Sequence, residues 1–295
     1  MALTLAISKE ASRPFDRRRN QLDQAGCDEP RHRWLDAVDR YKLEVAPGNI
    51  SSSTAKRYAV SIRQLDGVLN SRFVDEINRR LLIEIVGERK RAGATNATVR
   101  RDLTAISGIL SACQLWGWRD DNPARDFDRS FIRERRDPID PPSDAEVAKL
   151  VNIVPGNFGR AVLFLRQTGM RQQEAVMLKW SQIDLHRKTV QLIATKGGRP
   201  RAVLLDETAT STLVGTARHD QSDYVFWHHE GLPYLNFASR FRTHVRRAGV
   251  AFRCHDLRHK FAIEYLRSGG DIYKLSRVLG HRSVKTTELY LGFIP

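Results

Sequence analysis

Apolar residues recur at helical spacing through residues 31–118, with polar and basic residues on the intervening positions. Four such stripes predict four amphipathic helices. The stripes are Trp34, Leu35, Val38 and Tyr41; Tyr58, Ile62, Leu65 and Leu69; Ile77, Leu81, Leu82, Ile85 and Val86; and Val99, Leu103, Ile106, Ile109 and Leu110. Small hydroxyl residues at 51–54 and Thr95 suit the N-caps of two of them. The pattern predicts a four-helix bundle with arginine and lysine on its outer faces.

The second half of the chain mixes helical and strand patterns. Ser143 and Glu146 have the spacing of a capping box that opens a helix, and a later apolar helix ends at Thr168–Gly169. Two short apolar runs, 189–194 and 201–205, flank paired glycines, which favours a β-hairpin. The predicted fold class is therefore mainly α with a small β-sheet (α+β).

Between these two patterns lies a stretch rich in proline and mixed charge, residues 119–142. Because it offers few apolar residues to pack, it is predicted to be a linker. The predicted organisation is a flexible leader (1–30), a helical domain (31–118), the linker (119–142) and a second domain (143–295).

Net charge narrows the class of partner. The 295 residues include 49 Lys and Arg against 34 Asp and Glu, a net charge of +15. Such a chain should bind polyanions, and nucleic acid is the expected partner. Its three cysteines are far apart in the sequence, which argues against a zinc site or disulfide framework and suits a reducing cytoplasm. No apolar run approaches the roughly 20 residues that span a bilayer.

Candidate chemistry is concentrated near the end of the chain. His255 and Arg258 are three residues apart, on one face of a predicted helix, and His281 follows a Leu–Gly pair. Tyr290 comes nine residues later. Arginine offers a fork of donors that matches two phosphate oxygens, and tyrosine is a nucleophile that can hold a phosphoryl group. Together these residues indicate phosphoryl-transfer chemistry.

The order of motifs resembles that of the tyrosine recombinases, the phage integrase family. The matching residues are Thr168-Gly169-x-Arg171-x-x-Glu174, Lys196 in the hairpin turn, His255-x-x-Arg258, Leu279-Gly280-His281, and Tyr290. The resemblance covers roughly residues 31–290 and implies a helical core-binding domain that contacts DNA, followed by a catalytic domain.

The resemblance implies a site-specific recombinase that cuts and rejoins DNA through a 3′-phosphotyrosyl intermediate. Its implied roles are nucleophile for Tyr290, proton acceptor for His255, charge stabilisation for Arg171, Arg258 and His281, and leaving-group acid for Lys196. Glu174 is expected either to orient a basic partner or to form a simple helix ion pair.

Neither cofactor nor metal is expected, because the phosphotyrosyl bond conserves the phosphodiester's energy. The implied partners are duplex DNA with paired half-sites and further copies of the chain, as a dimer on a site and a tetramer in synapsis. Accessory DNA-bending proteins are a further implied partner. No membrane is involved, and the expected location is the cytoplasm, at the nucleoid.

Two alternatives remain at this point. A type IB topoisomerase uses similar residues, although its usual size and extra domains do not fit this chain. A catalytically silent DNA-binding regulator on the same fold is the other, and the intact motif set argues against it.

Overall fold

The structure is a computed structural model that describes residues 31–134, 138–193 and 200–294. The chain divides into two compact units, with the boundary between residues 136 and 137. The expected leader, the paired glycines and Lys196 lie outside the described residues.

The N-terminal unit is a helical bundle arranged around its last long helix. The helices are α1 (Trp34–Arg40), α2 (Ala46–Asn49), α3 (Ser52–Leu69), α4 (Arg79–Arg91) and α5 (Asn96–Leu115). The side chain of Ser51 accepts the N–H of Thr54, and Thr95 accepts that of Thr98, so both predicted caps are confirmed. The predicted stripes meet in one apolar core, where α1, α3 and α4 pack against α5; Leu35 is the exception and is exposed.

The segment that follows α5 differs from the linker that the sequence predicts. Ala124, Phe127 and Ile132 are buried in the core of the N-terminal unit. Arg119 donates a hydrogen bond of 2.7 Å from Nη1 to the carbonyl of Val74, and the Asn122 amide donates to the carbonyl of Ser107. The expectation that residues 119–142 have little to pack is therefore wrong for the part up to Ile132. Three widely spaced apolar residues suffice to anchor the segment to the core.

The C-terminal unit surrounds a buried helix with further helices and two small sheets. Its helices are α6 (Asp144–Ile153), α7 (Gly156–Thr168), α8 (Gln172–Val176), α9 (Glu207–Val214), α10 (Phe237–Arg247), α11 (Cys254–Arg267), α12 (Ile272–Leu279) and α13 (Lys285–Glu288). Its strands are β1 (Ile183–Asp184), β2 (Thr189–Leu192), β3 (Arg201–Leu204), β4 (Trp227–His228) and β5 (Leu232–Pro233). The mainly α fold with a small sheet is confirmed.

Helix α7 is the centre of this unit. It packs against α6, α9 and α11, and Phe158, Phe164 and Leu165 are almost fully buried. The antiparallel pairing of β2 with β3, which places Val190 opposite Val203, confirms the predicted hairpin strands. The predicted capping box at Ser143 and Glu146 is also present. This packing fixes the C-terminal ends of α7 and α12 and the start of α11.

Candidate active site

A left-handed turn at the end of α7 introduces the first candidate arginine. Gly169 ends the helix with φ +59°, a conformation that side chains with a Cβ avoid. A Cβ there would lie 2.3 Å from the Phe261 ring, so no larger residue fits. Two residues later Arg171 is the N-cap of α8. Its side chain is about one-third exposed, which leaves it accessible to a ligand.

Glu174 is the acceptor around which two arginines are arranged. Its carboxylate accepts the backbone N–H of Arg171 at 3.0 Å and Nη1 of the same residue at 3.1 Å. It also accepts Nη1 and Nη2 of Arg201 at 3.0 and 2.6 Å. Burial alone would raise the pKa of the Glu174 carboxyl, but the hydrogen bonds and charge of Arg201, with those of Arg171, outweigh it and lower the pKa.

Arg201 is a site residue that the sequence analysis missed. Its side chain is only 9% exposed, and its Nε donates to the carbonyl of Val278 at 3.0 Å. A signal was present, because residues 201, 203 and 205 share one face of a strand. Val203 and Leu205 on that face are buried. Arg201 lies on the same inward face as these two residues. Its guanidinium therefore requires a buried acceptor, and Glu174 provides it.

Arg258 is buried on α11 and bound to the ends of two other helices. Its Nη1 donates to the carbonyl of Gly169 and its Nη2 to that of Leu279, both at 2.6 Å. The side chain is buried, and burial, with the positive charge of Arg171, lowers its pKa to about 10. It remains a cation at neutral pH.

A second left-handed glycine places the candidate histidine. Gly280 ends α12 with φ +65°, and a Cβ there would lie 2.7 Å from Nη1 of Arg201. Its carbonyl accepts Nη2 of Arg171 at 2.5 Å. The next residue is His281, whose Nε2 lies 3.1 Å from Nη2 of Arg258 and whose Nδ1 lies 2.8 Å from Thr287 Oγ1. One turn therefore connects both motif arginines to this imidazole.

The tautomer of His281 follows from these contacts. A guanidinium only donates, so Nε2 of His281 must accept and the ring proton must lie on Nδ1, facing the Thr287 hydroxyl. Burial, with the charges of Arg258 and Arg171, lowers the pKa of His281 to about 4. The imidazole is thus neutral at pH 7.

Tyr290 lies beside this cluster, just after α13. Its side chain is 2% exposed and packs with Ile263, Leu275 and Leu279. Its hydroxyl lies 2.9 Å from Nδ1 of His259. Burial raises the pKa of the Tyr290 phenol, and the nearby Arg258 opposes that rise. The phenol is therefore protonated at neutral pH and hydrogen-bonded within the fold.

Comparison with known proteins identifies the family. The sequence model described as the phage integrase family matches residues 147–292, about half of the chain and nearly all of its C-terminal unit. The chain belongs to the phage integrase, or tyrosine recombinase, family.

Relatives of known sequence agree with this membership. The integrase of Escherichia phage P2 is 26% identical over 221 residues, which are 75% of this chain and 62% of the relative. Tyrosine recombinase XerA of Pyrococcus furiosus is 30% identical over 158 residues, which are 50% of this chain and 55% of the relative. The matched part therefore spans between half and two-thirds of the length of these relatives.

Two solved structures show the same fold. A lambda integrase dimer bound to a core site has a TM-score of 0.72 at 17% identity, covering 87% of this chain and 76% of that one. The Tn1549 transposon integrase in complex with circular intermediate DNA has a TM-score of 0.68 at 18% identity, covering 86% and 93%.

The integrase fold brings most of the predicted residues together. Arg171 is hydrogen-bonded to Glu174 and to the carbonyl of Gly280, and the next residue, His281, contacts Arg258. His255 lies on α11 with its ring 4.6 Å from that of His259, edge to face. Burial and the charge of Arg258 lower the pKa of His255. The role predicted for Lys196 falls outside the described residues and stays a prediction.

The contact made by the tyrosine differs from the expected one. The hydroxyl of Tyr290 is bonded to His259, whereas the sequence analysis chose His255 as its acceptor. Residues 255, 258 and 259 lie on one face of α11, since i, i+3 and i+4 are neighbours on a helix. The same spacing that indicated His255 therefore also pointed to His259.

A basic surface accompanies the site in the same unit. It is formed by α10, whose arginines 240, 242, 246 and 247 are exposed. His244 on the same helix instead packs against the ring of Phe158. Four exposed guanidinium groups on one helix are suited to a polyanionic backbone.

In the described ranges 31–134, 138–193 and 200–294, no three His, Cys, Asp or Glu residues are grouped so that they could hold a metal ion. No helix in these ranges is both long and apolar enough to cross a membrane.

Proposed function

We propose that the chain is a site-specific DNA recombinase that cuts and rejoins strands through a 3′-phosphotyrosyl intermediate. One observation carries the proposal: Arg171, Arg258, His281 and Tyr290 come from separate segments of the chain and meet around two glycine turns. Three guanidinium groups, those of residues 171, 201 and 258, face a single carboxylate, that of Glu174, so this cluster has a net charge of +2. Such a site favours an anion.

Both motif arginines have donors left for a phosphate. A guanidinium carries five N–H donors. The hydrogen bonds described above use three donors of Arg258 and two of Arg171. In-line phosphoryl transfer spreads negative charge over the non-bridging oxygens, and each well-placed donor is worth about 10²–10³ in rate by analogy with oxyanion holes. These arginines are suited to bind the scissile phosphate and to stabilise its transition state.

His281 would change its hydrogen bonding when DNA binds. In the free site its Nε2 accepts from Arg258, so donation to a phosphate oxygen requires a proton on Nε2. A bound phosphate favours that proton, because a nearby negative charge stabilises the imidazolium. We assign His281 to transition-state stabilisation on this basis.

Tyr290 supplies the nucleophile in this proposal. Its oxygen attacks phosphorus, the bond to the 5′ oxygen breaks, and Lys196 is assigned to protonate the leaving oxygen. A phenol with an ordinary pKa near 10 is about 0.1% ionised at pH 7, a cost of about 4 kcal/mol that the site must recover. The positive charge around Arg258 contributes to that recovery.

The substrate in this proposal is duplex DNA with paired half-sites, held by both units of the chain. The N-terminal unit, with its basic outer faces, acts as the core-binding domain, and α10 adds phosphate contacts. Two copies would occupy a site and four would form the synapse, as in the lambda integrase tetramer that was solved on a Holliday junction. DNA-bending proteins would assist, and the work would take place in the cytoplasm, at the nucleoid.

Covalent capture tests the proposal. A duplex selected by this protein from random sequences is nicked near the cleavage position, so that the short released strand diffuses away and the adduct accumulates. We expect a protein–DNA adduct from the wild type, linked at Tyr290 by peptide mass. Tyr290→Phe should bind the duplex and form none.

The matched control is Tyr273→Phe, the same change at a side chain that is 64% exposed on α12. It should form the adduct at the wild-type rate. An adduct that persists in Tyr290→Phe would refute the assignment of the nucleophile. Tight binding with no adduct from any variant would favour the DNA-binding regulator.

A further inference from the structure

His259 is the residue in contact with the atom that would attack phosphorus. Its Nδ1 lies 2.9 Å from the hydroxyl oxygen of Tyr290, and the ring centroids are 5.6 Å apart. The imidazole comes from α11, whereas Tyr290 follows α13. The contact therefore joins the nucleophile to the rigid helix that also carries Arg258.

The direction of this hydrogen bond determines what the tyrosine oxygen can do. A neutral imidazole that carries its proton on Nε2 can accept at Nδ1. The phenol then donates its one proton to His259, and the lone pairs of its oxygen remain available for other partners. If His259 donated instead, a lone pair of the nucleophile would be blocked.

The burial of Tyr290 strengthens the argument for an accepting imidazole. A phenol that is 2% exposed cannot discharge its proton to bulk water. The acidic groups near the site are otherwise engaged: Glu174 binds Arg171 and Arg201, and Asp256 binds Arg253. Among the described residues, Nδ1 of His259 is the side-chain atom in hydrogen-bond contact with the hydroxyl, so it is the atom placed to accept the proton.

We propose that His259, in place of His255, accepts the proton of Tyr290 and orients its oxygen during strand cleavage. The proposal rests on the proposed function. As the bond from Oη to phosphorus forms, the phenolic proton passes to Nδ1 of His259. The bond from phosphorus to the 5′ oxygen breaks, and that oxygen takes a proton from the general acid assigned above to Lys196. The reverse transfers occur when a 5′ hydroxyl rejoins the strand.

The electrostatic surroundings of His259 are consistent with an imidazole that is neutral, and so able to accept a proton, before the attack. Burial and, after it, the neighbouring His255 lower the pKa of His259 to about 4. Among the smaller effects, Asp256 raises this pKa, whereas Arg253 and Arg258 lower it. The imidazole is thus neutral at pH 7. The bound phosphate would raise its proton affinity at the step that needs it.

Single-turnover cleavage of the selected nicked duplex tests the proposal in the full-length protein. His259→Ala should slow adduct formation at Tyr290 by at least about a hundredfold, as expected for loss of an acid–base group. Because hydroxide must then remove the proton, the logarithm of its rate should rise by about one per pH unit, while the wild-type rate changes little near neutral pH. His259→Asn keeps an acceptor near the Nδ1 position and should fall between the two.

A duplex with sulfur in place of the bridging 5′ oxygen separates this role from that of the general acid. Sulfur leaves without protonation, so the modified duplex should restore cleavage by Lys196→Ala and leave His259→Ala slow. The matched control for His259→Asn is His229→Asn, which makes the same change at an exposed loop residue. It should behave as the wild type. Thermal melting of each variant shows whether it is folded. If His259→Ala does not fold, the cleavage rate of His259→Asn tests the proposal instead.

Three results would count against the proposal. Cleavage by His259→Ala within threefold of the wild type would overturn it, as would restoration of this variant by the sulfur duplex. A large loss confined to His255→Ala would return the acceptor role to His255. The proposed function fails separately, and this inference with it, if the wild-type adduct is absent or maps to another residue.

Discussion

Replacement of Glu174 by glutamine tests whether the buried carboxylate holds the arginine cluster together. The side chains of Glu174 and Arg201 are 7% and 9% exposed, and the pair is bidentate. The glutamine keeps the shape of the side chain but removes its charge and turns an amide N–H₂ towards an arginine. Arg201 is then buried with one neutral acceptor in place of a carboxylate.

The expected loss follows from that burial. Removal of one partner of a buried ion pair costs about 3–5 kcal/mol, and the low end applies here because glutamine retains one oxygen acceptor. A domain of this size loses about 2–4 °C in melting temperature per kcal/mol. A loss of about 3 kcal/mol therefore predicts a fall of about 6–12 °C in the unfolding of the C-terminal unit.

Differential scanning calorimetry of the whole chain measures this loss. The matched control is Glu207→Gln, whose carboxylate is 82% exposed and pairs with Lys188. Exposed pairs contribute less than about 1 kcal/mol, so its melting temperature should stay within about 4 °C of the wild type. Because the folded-state pKa of Glu174 is lowered, its contribution is present above the unfolded pKa of about 4.3 and fades as pH falls through the folded value.

A shift below 2 °C for Glu174→Gln, or one equal to that of the control, would refute this reasoning. It would mean that the guanidinium of Arg201 finds equivalent partners in the variant. The difference between wild type and variant should also shrink below about pH 4, and a difference that is constant down to pH 2 would show that charge is not its cause.

Two further predictions concern the glycine turn and the histidines. Gly280→Ala should lower the melting temperature more than Gly269→Ala, because both have positive φ but only at 280 does a Cβ meet Arg201, whereas nothing lies within 4 Å of one at 269; equal losses in calorimetry would contradict the clash. His259 and His281 have folded-state pKa values of about 4, below the unfolded value of about 6.5, so the unfolded chain binds more protons in between. Stability should therefore fall as pH drops from about 6.5 to about 4, and His281→Asn should flatten that slope in melting curves.

Local patterns in the sequence predicted the elements and most of the site. Helical stripes, two serine or threonine caps and a capping box defined α3, α5 and α6, because these signals act within a few residues. The order of motifs singles out Arg171, Arg258, His281 and Tyr290 as candidates, and these residues lie close together in the structure. What linked them was the ordered set, since any one of them alone has an ordinary structural explanation.

The errors arose where a residue's role depends on a partner distant in sequence. Arg201 is bound to Glu174 and to Val278, 27 and 77 residues away, and no local pattern reports such pairs. His259 follows the motif residue Arg258 and lies outside the motif, so no local pattern gives it a role, although its ring contacts Tyr290, 31 residues away. The linker was extended too far because three apolar residues spread over nine positions form no periodic pattern.

The glycine turns also determine which groups solvate the positive charges of the site in place of water. Arg258 is held by the peptide oxygens of Gly169 and Leu279, and Arg171 by that of Gly280. These oxygens replace lost water as neutral dipoles, at helix ends where the backbone already has partial negative character. Glu174 is the carboxylate that Arg171 and Arg201 share, whereas the partners of Arg258 are backbone oxygens and His281. If a separate carboxylate neutralised each arginine, the cluster would not attract a phosphodiester. Solvation by backbone dipoles leaves the cluster with a net positive charge, so it still attracts an anion.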